Sequence, residues 1–377
     1  MKVLTVVGTR PELIKLSLVL KLLDETCNHI LVHTGQNFDK ELNENFFKDL
    51  DLRNPKYYLD SAQNSPVKTI SKILEKVDEI LDIEKPDAFV VYGDTNSCLS
   101  VIAAKRKKIP IFHMEAGNRC FDLNVPEELN RKVIDHISDI NFVLTEHARR
   151  YLIGEGLAPD QIILSGSHMP EILKEYSKKI SESKILKKLN IAPENYILVS
   201  THREEIVDDP KTLKKLVNSL NKISRSFDKK VIVSTHPRTK KRLLDLSINL
   251  DENIIEFSKP FNFTDYINLQ QNSFCVISDS GTIAEESAIL SFPAITIRPT
   301  HERPEVYDSG TLLMSQLDED SLKQSIDLSR LIIKNNQNKF LVPDYTYRNV
   351  SNIIVNNIFS LTPKINKYVW GKLETSD

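Results

Sequence analysis

Short apolar runs alternate with longer stretches of helical spacing along most of the chain, the pattern of parallel strands joined by crossover helices. In the first half the runs predict strands over residues 3–7, 30–33, 88–92, 110–113, 142–144 and 162–164. The second half repeats the theme at 196–200, 231–234, 254–257, 274–277 and 294–297. The expected fold class is therefore α/β, with two doubly wound Rossmann-like domains facing a cleft. After Leu164-Ser165-Gly166 comes a Lys/Glu/Ser-rich helical stretch, which puts the domains at 1–168 and 169–348. Residues 349–359 have helical spacing and precede Pro363 and a polar tail, so 349–377 is expected to pack back onto the first domain. A chain of 377 residues exceeds what one core organises, in keeping with two domains of roughly 150 to 200 residues.

Composition excludes several classes. Hydrophobic residues make up 40% and charged residues 27%, an ordinary globular balance. A formal net charge of −2 lacks the basic footprint of a nucleic-acid binder, and the run from Lys105 to Lys108 is expected to solvate a helix end. The four cysteines form no C-x-x-C pair, which argues against a zinc site or a disulfide framework and for the cytoplasm. The first apolar run is too short for a signal peptide, and no segment approaches the ~20 apolar residues that span a bilayer, so no membrane contact is expected. No G-x-G-x-x-G turn follows any strand and the chain has 10 glycines, which disfavours a nicotinamide cofactor. Neither cofactor nor metal is expected.

Ligands of open α/β sheets bind beyond the carboxyl ends of the strands, where polar residues concentrate here. Gly8, a capping box between Thr9 and Glu12, and Pro11 build a helix N-terminus whose free N–H groups, with Arg10, would suit a phosphate. A well-capped helix with a solvated Arg10 explains that turn equally. Ser278-Asp279-Ser280-Gly281-Thr282 opens a second helix where small residues let phosphate oxygens approach the backbone. Glu286, one turn inside, could accept from ribose hydroxyls, or Glu285 and Glu286 could simply complement the helix dipole.

In the helix that begins at Pro126, Leu129, Val133 and Ile137 form an expected core stripe. Glu127 and Arg131 share another face, as a surface ion pair or as a carboxylate held by Arg131 for chemistry. His113, His136, His147 and His236 could each be core or surface groups. His202 ends a second-domain strand and is placed to meet Asp94, Glu115 and Glu127 across a cleft.

Together these residues resemble the non-hydrolysing UDP-N-acetylglucosamine 2-epimerase family. The resemblance covers almost the whole chain. It rests on Gly8-Thr9-Arg10-Pro11-Glu12 with Lys15, Gly93-Asp94-Thr95, His113-Met114-Glu115-Ala116-Gly117, and Pro126-Glu127-Glu128 with Asn130-Arg131. It continues through Thr201-His202-Arg203, Ser278-Asp279-Ser280-Gly281 and Glu302-Arg303-Pro304-Glu305. The resemblance implies a GT-B-type glycosyltransferase architecture, a UDP-sugar substrate, a homodimer and no redox cofactor. By it Asp94, Glu115, Glu127 and His202 are catalytic, with Lys15 and Arg131 in the same polar site, while Arg10, Ser280, Gly281, Thr282 and Glu286 hold UDP.

The implied reaction eliminates UDP to leave a 2-acetamidoglucal and adds it back after C2 is reprotonated on the other face. Two separately placed carboxyls suit such an inversion, since one removes the proton and another returns it. Some positions depart from the pattern. Where relatives acting on UDP-N-acetylglucosamine commonly carry His-Arg-Arg-Glu, with the second Arg in a regulatory pocket, this chain has His202-Arg203-Glu204-Glu205. That pocket's paired Gln residues correspond to Gln36-Asn37-Phe38-Asp39, the loop over 120–126 is shorter, and Asn118 replaces an apolar residue. These departures leave a modified UDP-hexosamine, on the way to UDP-N-acetyl-L-fucosamine, as an alternative substrate. A two-domain glycosyltransferase and a non-catalytic UDP-sugar sensor are the alternatives of other classes.

Overall fold

The computed structural model describes residues 1–36, 47–201, 203–235, 239, 242, 243, 245, 254–298, 302–335 and 342–372, with Glu204 and Glu205 described by their backbone alone. The chain divides into two compact units, Met1–Ile172 with Thr346–Asp377, and Leu173–Tyr345. Both are α/β and doubly wound, as the apolar pattern predicts.

In the first unit seven strands form one parallel sheet: β1 (Lys2–Val7), β2 (Asn28–His33), β3 (Tyr57–Tyr58), β4 (Ala88–Tyr92), β5 (Ile111–Ala116), β6 (Ile140–Val143) and β7 (Ile162–Leu164), in the order β3-β2-β1-β4-β5-β6-β7. Its helices are α1 (Arg10–Thr26), α2 (Pro66–Glu84), α3 (Val101–Arg106), α4 (Pro126–Ile137) and α5 (Glu146–Gly154). Strands covered on both faces read as unbroken apolar runs, and Val3, Leu4, Val6 and Val7 of β1 are all fully buried. Each such side chain contributes about 2 kcal/mol by leaving water. On α2 the residues Ile73, Val77 and Ile80 share one helical face and join Leu4, Val6, Val32, Phe89 and Val91 in the core.

The second unit repeats the design with six parallel strands, β8 (Tyr196–Thr201), β9 (Lys230–Thr235), β10 (Ile255–Ser258), β11 (Cys275–Ser278), β12 (Ala294–Thr296) and β13 (Leu313–Met314), in the order β10-β9-β8-β11-β12-β13. Its longer helices are α6 (Pro210–Phe227), α7 (Phe263–Gln271), α8 (Ile283–Leu290), α9 (Pro304–Ser309) and α10 (Glu319–Asn335). The last helix, α11 (Val350–Tyr368), belongs to the first unit and packs on α1. Among the described residues no helix is long and apolar enough to cross a membrane.

Strand order reverses beside β1 in the first sheet and beside β8 in the second, so the crevices that take ligands open between β1 and β4 and between β8 and β11. All eleven expected strands are present within a few residues of their expected ends. The edge strands β3 and β13, two residues each, were not expected. Pro363 lies inside α11 rather than beyond it. The helix continues because Ile365 is buried past the proline, and the buried Thr362 hydroxyl donates to the Ile358 carbonyl at 2.6 Å. The basic run at the end of α3 is ion-paired rather than simply solvated: Lys105 contacts Asp139 at 2.6 Å and Lys107 contacts Asp82 at 2.5 Å.

Candidate active site

Between β1 and β4, the first turn leaves no room for a side chain at Gly8. A Cβ there would stand 1.9 Å from the Ser97 hydroxyl. The turn enters α1 at Thr9, and Glu12 folds back so that one carboxylate oxygen accepts from the Gly8 N–H at 2.5 Å and the Thr9 N–H at 2.8 Å. These two N–H groups are taken by the helix's own acid, in the capping box expected between Thr9 and Glu12. The other Glu12 oxygen accepts from the Thr95 hydroxyl at 2.6 Å, tying the turn after β1 to the turn after β4. Burial pushes the Glu12 carboxyl up from its ordinary 4.5 to about 7. Arg10 is partly exposed at the start of the helix. Gln36 accepts from the backbone N–H and hydroxyl of Ser97 at 3.1 and 2.9 Å.

The carboxylates lie one strand further. A register shift against β6 between Met114 and Ala116 forms a bulge, and Glu115 adopts φ 64, a left-handed conformation that costs a non-glycine residue on the order of 1–3 kcal/mol. The bulge turns Glu115 toward α1, where Lys15 is bonded to the same oxygen that accepts from the Tyr92 hydroxyl at 2.6 Å. Lys15 is 5% exposed and Glu115 12%. The pair is thus largely removed from water but still reachable.

Asp94, after β4, is held by Arg131 through Nε at 3.1 Å and Nη2 at 2.6 Å, and Asn130 donates to the Asp94 carbonyl at 2.9 Å. The remaining Arg131 nitrogen, Nη1, donates to Glu128 at 3.1 Å. Glu128 is completely buried and also accepts from the Cys120 N–H at 3.0 Å. Two corrections follow for α4. The acid held by Arg131 on its own helix is Glu128, not Glu127, which is only partly buried. Leu129 is 62% exposed and Val133 and Ile137 only half-buried, so the core stripe is not formed by those three. The buried face carries Glu128, Arg131, Ile134 and Asp135 instead.

The structure therefore brings Lys15 to Glu115 and Arg131 to Asp94 at the ends of neighbouring strands. Tyr92 and Glu128 are partners that the sequence reading missed. Tyr92 was legible as the last residue of an expected strand, and Glu128 as the neighbour of Glu127.

In the second unit, fully buried Asp279 accepts from the Thr201 hydroxyl at 2.8 Å and the Arg203 N–H at 2.9 Å, pinning the turn after β8 to the turn after β11. Ser280, Gly281 and Thr282 follow, partly exposed, with the Ser280 and Thr282 hydroxyls 3.0 Å apart at the start of α8. Among the described residues, chain neighbours apart, the nearest atom to a Cβ built on Gly281 is Arg298 Nη1 at 3.9 Å. Glu286, one turn inside, accepts from the Gln270 amide at 2.6 Å. Its fully buried neighbour Glu285 lies 3.7 Å from Arg303. His202, His236 and residues 37–39 lie outside the described residues, as do the side chains of Glu204 and Glu205.

Comparison with known proteins gives this arrangement a context. The family model for UDP-N-acetylglucosamine 2-epimerase matches residues 21–358. A UDP-N-acetylglucosamine 2-epimerase of Methanocaldococcus jannaschii is 34% identical over 348 residues, covering 90% of this chain and 95% of its own length. The structure of UDP-N-acetylglucosamine 2-epimerase from Rickettsia bellii superimposes with a TM-score of 0.90 at 52% identity, covering 99% of this chain and 100% of the other. The Methanocaldococcus jannaschii enzyme in complex with UDP-GlcNAc and UDP gives a TM-score of 0.88 at 32% identity, covering 96% and 100%. With this coverage from sequence and structure alike, the chain belongs to the UDP-N-acetylglucosamine 2-epimerase family.

Proposed function

We propose that this isomerase interconverts UDP-N-acetylglucosamine and UDP-N-acetylmannosamine by eliminating and re-adding UDP. The observation that carries the reading is the pair of carboxylates at neighbouring strand ends, Glu115 held by Lys15 and Tyr92 and Asp94 held by Arg131. One carboxylate takes the C2 proton while the C1–O bond breaks and UDP leaves with the bonding electrons. A second carboxyl returns a proton to the opposite face of C2, and the UDP oxygen re-forms the bond at C1. Glu127, half-buried on α4, supplies a third carboxyl to the same set. The cations Lys15 and Arg131 hold their partners in place.

Arg10, Ser280, Gly281, Thr282 and Glu286 are assigned to UDP, the serine turn through its hydroxyls and backbone and Glu286 through ribose hydroxyls. His202 is assigned to the leaving diphosphate. The relatives that span this chain at 34% and 52% identity are UDP-N-acetylglucosamine 2-epimerases, which supports that substrate over a modified hexosamine and epimerisation over glycosyl transfer. A homodimer in the cytoplasm, working without a redox cofactor, completes the reading.

The test is incubation in D2O with a panel of UDP-hexosamines, followed by NMR at C2. Deuterium should enter C2 of the epimerised UDP-N-acetylhexosamine, and Asp94→Asn, Glu115→Gln and Glu127→Gln should each lower turnover by ~10²-fold or more. Product that keeps its original hydrogen at C2 would refute elimination. Wild-type rates for one variant would remove that residue from the set.

A further inference from the structure

Behind the carboxylates lies a buried polar cluster that the reaction scheme does not use. Its centre is Asp135 on α4, which is completely buried. Its two oxygens accept from the Gly117 N–H at 3.2 and 3.3 Å, and one also accepts from Arg119 Nη1 at 2.7 Å. Arg119 is itself 1% exposed and forks onto both oxygens of Glu155 at 2.7 and 2.6 Å. On its other side Asp135 lies 2.9 Å from Nδ1 of fully buried His113 without forming a hydrogen bond to it, while His113 Nε2 donates to the Gly93 carbonyl at 2.8 Å.

These contacts end on two particular turns. Gly117 follows Glu115 by two residues, and Gly93 immediately precedes Asp94. Gly93, Glu115 and Gly117 all have left-handed backbones, with φ of 75, 64 and 77. Strain of this kind persists only where surrounding structure fixes it. Gly117 is also confined by packing, since a Cβ there would meet the Ala148 carbonyl at 2.6 Å.

From this geometry we infer that Asp135 and His113 are positioning residues for the two carboxylates, Asp135 acting on Glu115 through the Gly117 N–H and His113 on Asp94 through the Gly93 carbonyl. The inference rests on the catalytic reading of Glu115 and Asp94. A buried ion pair is poor evidence of net stabilisation, because desolvation offsets its attraction. It does fix geometry, and a misplacement of about 1 Å at a reacting group costs on the order of 10²-fold in rate. Arg119, held in turn by Glu155, keeps the Asp135 carboxyl from being buried without a cation.

The experiment compares kcat, KM, circular dichroism and thermal midpoint for Asp135→Asn, His113→Asn, His113→Gln and Glu155→Gln, with Glu115→Gln as reference. Asp135→Asn should lower kcat by about 10- to 100-fold with KM within about threefold and the fold retained. The amide of His113→Gln can still donate to the Gly93 carbonyl, so that variant should keep more turnover than His113→Asn, whose shorter amide cannot. This split decides the case if Asp135→Asn fails to fold. Glu155→Gln disturbs the cluster from its half-exposed end and should lower the thermal midpoint while leaving kcat unchanged. A folded Asp135→Asn with wild-type kcat, or equal loss of kcat and melting temperature in Asp135→Asn and Glu155→Gln, would overturn the positioning role. A wild-type rate in Glu115→Gln would instead overturn the catalytic reading beneath it.

Discussion

Two buried groups in the first unit titrate in opposite senses, and their balance predicts how stability responds to pH. Burial raises Glu12 from its ordinary 4.5 to about 7. Between those values the folded protein keeps a proton that the unfolded chain has released, so stability falls as pH rises through the interval. At about 1.4 kcal/mol per pH unit the loss reaches about 3 kcal/mol. His33 ends β2, fully buried and stacked on Tyr58 at 4.9 Å, and burial lowers it from 6.5 to about 4. Its Nδ1 accepts from the Gly35 N–H at 3.1 Å, which fits a neutral ring. Below pH 6.5 the unfolded chain takes up a proton that the fold refuses, so stability falls as pH drops, again by about 3 kcal/mol.

Between pH 4.5 and 6.5 the two slopes oppose each other, and their contributions in the wild type should nearly cancel. Glu12→Gln removes one of them. Its amide oxygen can still accept from Gly8 and Thr9, and the Thr95 hydroxyl can turn to accept from its NH2, so the turn survives. Urea unfolding at half-unit pH steps should show this variant losing most of about 3 kcal/mol, relative to wild type, from pH 6.5 down to 4.5. His33→Asn should show the reverse slope. If Glu12→Gln follows the wild-type profile across the whole range, Glu12 does not titrate in this window and the reasoning fails.

Three further predictions test other parts of the structure. Arg131→Met leaves Asp94 and Glu128 without their shared cation and should cost about 3–5 kcal/mol in urea unfolding, besides abolishing turnover; a loss under about 1 kcal/mol would show the pair to be solvated. On the proposed role of Glu286, Glu286→Ala should weaken UDP about tenfold by calorimetry, the scale of one charged hydrogen bond, and unchanged affinity would remove it from the nucleotide site. Pro363→Ala restores a helical N–H inside α11 and should raise the melting temperature, since an interior proline costs roughly 3 kcal/mol; a lower one would mean the ring itself packs.

The legible part of the fold is the part that burial writes into single residues. Strands covered on both faces, such as Ala88–Tyr92, are unbroken apolar runs, and that strand has the expected bounds. Tyr57–Tyr58 and Leu313–Met314 escaped because two residues at a sheet edge carry no periodicity, and they are paired on one side only. The end of α11 escaped because a proline signal is local, whereas the burial of Ile365 that sustains the helix is tertiary. Asp94, Glu115 and Arg131 were legible from position, as polar residues after apolar runs or early in a helix, whereas Lys15 entered through the family resemblance alone. Their supports were less so, because a buried acid and a solvated acid are the same letter.

Helix α4 shows why its phase could not be settled from apolar residues alone. The spacing of Leu129, Val133 and Ile137 points to one face, and burying Leu129 would contribute about 2 kcal/mol. The face actually buried carries Glu128, Arg131, Ile134 and Asp135, in which Ile134 alone is apolar. Rotating the helix to bury Leu129 would withdraw Arg131 from Asp94 and Asp135 from Gly117 and Arg119, leaving Asp94, Gly117 and Arg119, all supplied by other parts of the chain, without those partners. Breaking a buried ion pair costs about 3–5 kcal/mol, and each orphaned hydrogen bond about 1–3 kcal/mol more. The polar contacts outweigh the leucine, and Leu129 stays at the surface. Their counterparts lie in other strands and loops, so the term that sets the phase cannot be read from the helix's own twelve residues.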